Sequence, residues 1–235
     1  MRAGGSALAE AVRLDLAAIL SGASALVGAH PWAFAITVIP YIALGTWWDM
    51  QEWTNWQEWL LTSGVFAVFG GVLQYLVLQY ALAPAPGHGR RFLVLLVAVT
   101  VHLLAWTVGS AASLLLLFPG FYLAGRLSAA PGVAIAEREG VVASLILSWR
   151  RTRASWWPLL LVQAILVVPL LAVLGLVFIV IYGEWGMLNT EETALEIALL
   201  SNLLFGAVAV ATWAVNGAAY RLTAPELHRD EDIFA

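Results

Sequence analysis

Hydrophobic positions in this chain come in long blocks, and polar positions gather in the short stretches between them. About 20 consecutive apolar residues is the length a helix needs to cross hydrocarbon. Blocks of this kind lie at about 32–48, 59–82, 92–127, 156–182 and 196–220. The 92–127 block is too long for one crossing, and Gly109-Ser110 falls at its middle. The pattern therefore predicts a hairpin, with spans at about 92–108 and 111–127. Pro40 and Pro169 fall inside spans, where neighbouring helices can satisfy the freed backbone groups. Pro84, Pro86, Gly87 and Gly89 forbid helix continuation and mark a tight loop.

Two stretches have a different pattern. Between Ser6 and Leu20, the apolar residues Leu8, Val12, Leu16 and Ile19 recur at helical spacing, with Glu10, Arg13 and Asp15 interrupting. This predicts an interfacial helix over 6–25, loosened at "SGAS" before His30-Pro31 opens the first span. The second stretch is 139–153. Val141, Val142, Leu145, Ile146 and Trp149 share one arc, Ser144, Arg150 and Arg151 lie mostly on the other, and Arg153 can snorkel. The fold expected is all-α: a polytopic membrane helix bundle of six transmembrane helices and two cytoplasmic interfacial amphipathic helices. It forms one membrane domain over 1–235, with a polar tail at 221–235.

Composition agrees. With 62% hydrophobic residues, 11% charged and a mean hydropathy of +0.87, the chain is too apolar for a soluble core inside a solvated shell. No cysteine is present, so disulfides and thiolate metal sites are excluded. No signal peptide is expected at Met1–Ser24. The net charge of −4 argues against a nucleic-acid partner.

Charge then orients the bundle. All 11 basic residues are arginine. With six spans and both termini inside, Arg2, Arg13, Arg90, Arg91, Arg126, Arg138, Arg150, Arg151, Arg153, Arg221 and Arg229 all fall on one side. The other side has Asp49, Glu52, Glu58, Glu184, Glu191, Glu192 and Glu196. This satisfies the positive-inside rule and places both termini in the cytoplasm of a bacterial inner membrane. One long helix in place of the hairpin would break the pattern.

The chemistry-bearing residues are few. Arg138, Arg150, Arg151 and Arg153 suit contact with anionic lipid phosphates, at ~1 kcal/mol per cation near the surface. Glu137 can pair with an arginine of the interfacial helix, or cap the helix that begins near Gly140. Trp47, Trp48, Trp53, Trp56 and Trp59 form an aromatic belt on the acidic side, and Trp185 extends it. The sharper reading of that belt is a docking surface. Within the spans, His102 suits a hydrogen bond to a neighbouring helix more than a cofactor, and Asn202 and Asn216 suit interhelical hydrogen bonds. No Walker loop, Ser-His-Asp set, HExxH or Rossmann glycine pattern is present, so no catalytic residue, metal or cofactor is expected.

The stretch "FPGFYLAGRLSAAPGVAIAEREGVVASLILSWRRTRASWW" resembles the family named after the membrane domain of glycerophosphoryl diester phosphodiesterase. Pro119, Gly120, Glu137, Gly140, Ser148 and Trp156 match its motif positions, while Leu147 and Ala154 depart from it. The resemblance implies a six-span membrane module of mostly unassigned role, sometimes coupled to lipid metabolism. No catalytic domain is expected with it, hence no hydrolase activity. The function expected is a non-enzymatic inner-membrane protein with lipid-contacting cytoplasmic helices. The alternative is an accessory subunit docked on a larger membrane complex through the Trp-rich segment, with a transporter or channel third.

Overall fold

A computed structural model of the protein describes residues 13–51, 55–82, 91–115, 117–182 and 191–224. These residues form helices α1 (Leu16–Ala29), α2 (Pro31–Asp49), α3 (Trp56–Leu82), α4 (Arg91–Leu115) and α5 (Leu117–Leu127). A short α6 (Ala130–Gly132) continues into a π-helical turn (Val133–Glu137). Then follow α7 (Val141–Arg151), a 3-10 turn (Arg153–Ser155), α8 (Trp156–Tyr182) and α9 (Glu191–Thr223). The all-helical expectation holds among the described residues.

Three stretches are long and apolar enough to cross a membrane: Ser63–Leu82, Arg153–Val173 and Leu195–Thr223. A fourth results if α1 and α2, which meet at 90°, count as one broken span. The bend follows from local chemistry. His30 ends α1, and Pro31 has the fixed φ that starts a helix and no N–H to continue the previous one.

Six crossings do not emerge from helix lengths alone. α4 holds a shorter apolar stretch, Phe92–Ala105. α5 has 11 residues, which reach about 16 Å at ~1.5 Å each, far short of ~30 Å of hydrocarbon. The break expected at Gly109-Ser110 is displaced: α4 runs through that pair to Leu115, and α5 packs back along α4 and onto α8. A glycine costs a helix only about 1 kcal/mol, less than leaving backbone groups unbonded where water is scarce.

The first amphipathic stretch is also re-drawn. Asp15 caps α1, its carboxylate accepting from the Ala18 N–H at 2.6 Å. "SGAS" lies within this helix rather than breaking it. Gly22 instead lets α1 approach α9, since a methyl there would lie 3.3 Å from the Ala218 side chain. The part of the expected helix before Arg13 lies outside the described residues.

α9 is the central post, packing against α1, α2, α3 and α8. Ile19, Leu26, Leu78, Leu159, Val162, Val215 and Ala219 form the core where these helices meet. Outward, Trp32, Ile36 and Leu176 are 78%, 67% and 63% exposed, a rim too apolar for an ordinary water-facing surface. Two polar clusters lie along the post, one about a third of the way in and one in its last turn. Asn202 lies at one, Tyr220 and Arg221 at the other, separated by about 28 Å at ~1.5 Å per residue, close to one hydrocarbon thickness.

Candidate functional site

The arginine end is assembled by residues 120–160. Each helix leaves its last carbonyls without intrahelical donors, and α5 and α7 satisfy one another. The Arg126 carbonyl, near the end of α5, accepts from Ser148 Oγ at 2.9 Å and Thr152 Oγ1 at 3.0 Å. In return the Arg126 guanidinium donates to the Trp149 carbonyl, near the end of α7. Ser128 Oγ closes the Gly125 carbonyl at 2.8 Å. Gly125 itself lies against α8, where a methyl would meet the Leu159 backbone at 3.1 Å.

These bonds determine which way α7 faces. Ser144, Ser148 and Thr152, spaced four apart, are fully buried and point into the protein. Val142, Ile146 and Trp149 are 69%, 46% and 39% exposed. The hydroxyl side packs inward, Val141 and Leu145 lie against Val101, Ala130 and Ala134, and Val142, Ile146 and Trp149 are left outward, an exposed apolar edge unlike that of an amphipathic helix on a soluble protein. Small side chains let α7 approach closely enough for its hydroxyls to reach a helix end.

Glu137 resolves into the first of its two expected roles. Its oxygens accept from Arg151 Nη1 at 2.6 Å and Nη2 at 3.0 Å, a bidentate fork across 14 residues. The Tyr220 hydroxyl of α9 lies beside the same carboxylate. Gly140 is the N-cap of α7, with no side chain capping it. Between Glu137 and Gly140 the chain reverses through Arg138, in the left-handed region at φ 57. The π turn is braced from behind by Tyr220, because a methyl on Gly132 would lie 2.4 Å from the Tyr220 Cβ.

The arginines expected at phosphate thus have different surroundings. Arg138, Arg150 and Arg153 are exposed, while Arg151 is engaged by Glu137. Arg126, which sequence reasoning passed over, is 3% exposed and sits 4.3 Å from the Trp149 ring centroid and 5.9 Å from that of Tyr122. Tyr122, Trp149, Trp156 and Trp157 form an edge-to-face chain, with centroids 5.4 to 5.9 Å apart. Of the motif positions, Ser148 is a capping donor, and Pro119 and Gly120 lie within α5. The missed residues had one legible signal, the four-residue spacing of Ser144, Ser148 and Thr152.

At the opposite end, Asn202 Nδ2 donates to Asp49 Oδ2 at 2.7 Å and to the Ala198 carbonyl at 2.8 Å. Between the ends, His102 Nδ1 and Gln74 Oε1 share a hydrogen bond of 2.5 Å, and the His102 ring rests on Gly71. Trp47 is 57% exposed and meets Trp48 edge to face at 6.4 Å. Trp53, Trp185 and the side chains of Trp56 and Trp59 lie outside the described residues. Asn216 is half-buried in α9.

The arrangement can hold an anion at exposed guanidinium groups; among the described residues, Ser148 and Thr152 close a helix end and Glu137 pairs with Arg151. No protein-family model, no curated protein and no solved structure matches this chain.

Proposed function

We propose that the protein is a non-enzymatic, multi-pass membrane protein of the bacterial inner membrane, with its arginine end and both termini in the cytoplasm. That end contacts anionic lipids. The observation that carries this reading is the orientation of α7: Val142, Ile146 and Trp149 face outward beside Arg150 and Arg153, an apolar surface edged by cations. Such a surface suits the boundary between acyl chains and headgroups. The six-span orientation remains part of the proposal, with the α4–α5 hairpin standing at the third and fourth positions and α5, by its described length, making only a partial crossing. The resemblance of residues 118–157 to the membrane-domain family adds a link to lipid metabolism.

The non-enzymatic part rests on how polar groups are used. Ser148, Thr152, Arg126, Glu137 and Arg151 are each engaged by a capping bond or ion pair, which supports a structural use of these groups.

The absence of cysteine makes the topology directly testable. Single cysteines at exposed Ala154 and at Gln51 (Ala154→Cys, Gln51→Cys) should react oppositely with a membrane-impermeant maleimide. Gln51→Cys should label in intact cells and Ala154→Cys only after permeabilisation. External labelling at residue 154 would overturn the orientation. Purified in mild detergent, the protein should also retain anionic phospholipid severalfold above its bulk share.

A second reading, an accessory subunit of a larger membrane complex, is favoured by exposed Trp47 at the acidic end. Stoichiometric partners recovered from native membranes, and lost on Trp47→Ala, would support it. A lone chain would rule it out.

A further inference from the structure

We propose that the protein binds one anionic phospholipid at a defined place, with an acyl chain in the groove between the end of α5 and α7 and the phosphate on Arg150. This rests on the membrane orientation proposed above and assigns a specific site to it.

The groove is lined by Leu127, Leu145, Ile146 and Trp149, with Arg150 on its rim, and holds about 280 Å³. That is below the ~300–1,000 Å³ of pockets that enclose a small molecule. It is open along its length, and it presents side-chain carbon rather than backbone donors, so it suits a hydrocarbon chain better than a peptide.

Two features make it a built site rather than a dimple. Its Trp149 wall is fixed in advance, because the buried Arg126 holds both the Trp149 carbonyl and the ring face. A pre-ordered wall lowers the entropy cost of seating a ligand.

The second feature is uncompensated positive charge around that wall. Glu137 neutralises Arg151 and, among the described residues, no carboxylate pairs with Arg126, Arg150 or Arg153. Arg153 is near enough to Arg126 for the two cations to repel. Arg126 Nε is buried with no hydrogen-bond partner. A phosphate at Arg150, one turn from Arg153, would relieve this repulsion and could form charge-assisted hydrogen bonds. Apolar groove and cationic rim together describe an amphiphile with an anionic head.

The test uses the full chain in lipid nanodiscs, with retained lipids counted by native mass spectrometry as phosphatidylglycerol replaces phosphatidylcholine. Wild type should prefer phosphatidylglycerol. The preference should fall about fivefold for each of Arg150→Gln and Arg153→Gln, the effect of ~1 kcal/mol per cation. Both side chains are exposed, so unfolding temperatures should stay at the wild-type value and show that the fold is intact. Ile146→Asn, also at an exposed position, should weaken retention of both lipids by interrupting the chain's path. Glycerol 3-phosphate at millimolar concentration should not compete.

Enrichment that survives the arginine substitutions would overturn the groove while leaving the lipid-contact reading in place. Absence of enrichment in wild type would overturn both. Competition by glycerol 3-phosphate equal to that by phosphatidylglycerol would show a simple anion site and overturn the acyl-chain assignment.

Discussion

The two ends of the bundle hold their helices by different means. At the arginine end, α5, α7 and the π turn are tied by two hydroxyls on one carbonyl, a guanidinium on another and a bidentate ion pair, with Tyr220 of α9 beside the paired carboxylate. At the carboxylate end, among the described residues, the Asn202 amide of α9 donates to the Asp49 carboxylate of α2. Short helices explain the contrast. α7 has 11 residues and exposes many unbonded terminal groups relative to its length, and its side chains close its own end and the end of α5 together. α2 and α9, with 19 and 33 residues, carry most of their backbone bonds internally.

If the arginine end is the mechanically specified one, substitutions there should cost more than those at the other end. The largest effect is expected for Gly132→Ala. The added methyl meets the root of Tyr220, which cannot swing aside, so the π turn and α9 must separate, at ~3 kcal/mol. Unfolding in mixed detergent micelles would measure it. Glu137→Gln should follow at ~2 kcal/mol, because the half-buried Arg151 loses its ionised partner. A double-mutant cycle with Arg151→Gln should then show positive coupling, and additive losses would mean that the fork contributes nothing.

Ser148→Ala is expected to be milder, ~1 kcal/mol, since Thr152 still donates to the Arg126 carbonyl. Ser148→Ala with Thr152→Val should exceed the sum of the single losses, because only the pair orphans that oxygen. Smallest is Asp49→Asn at the other end, about 0.5 kcal/mol: the new amide oxygen still accepts from Asn202. A larger loss from Asp49→Asn than from Glu137→Gln would reverse the comparison.

Helix boundaries were legible to different degrees. The span expected at 156–182 coincides with α8, because Pro158 and the Trp156-Trp157 pair mark its start and the apolar run is unbroken. Gly109-Ser110 misled, since a glycine within an apolar helix is tolerated where no water competes for the backbone. At "SGAS", small residues were read as loosening where they serve close packing against α9. The Glu137 ion pair was legible as a possibility because charge is rare in this chain. Its partner among Arg150, Arg151 and Arg153 was settled by the turn through Arg138.

The sequence by itself determined that the chain is helical and apolar, where most helices lie, and that α7 has two unlike faces. Only the tertiary structure decided which face of α7 turns inward, and that Arg126 and Tyr220 belong to the same cluster as Glu137 and Ser148. The reason is physical. In water, burial of apolar surface tells a helix which side is inside. In the lipid environment proposed for this end, the surroundings are as apolar as the core, so that signal vanishes and the choice passes to hydrogen bonds between helix ends that are remote in sequence.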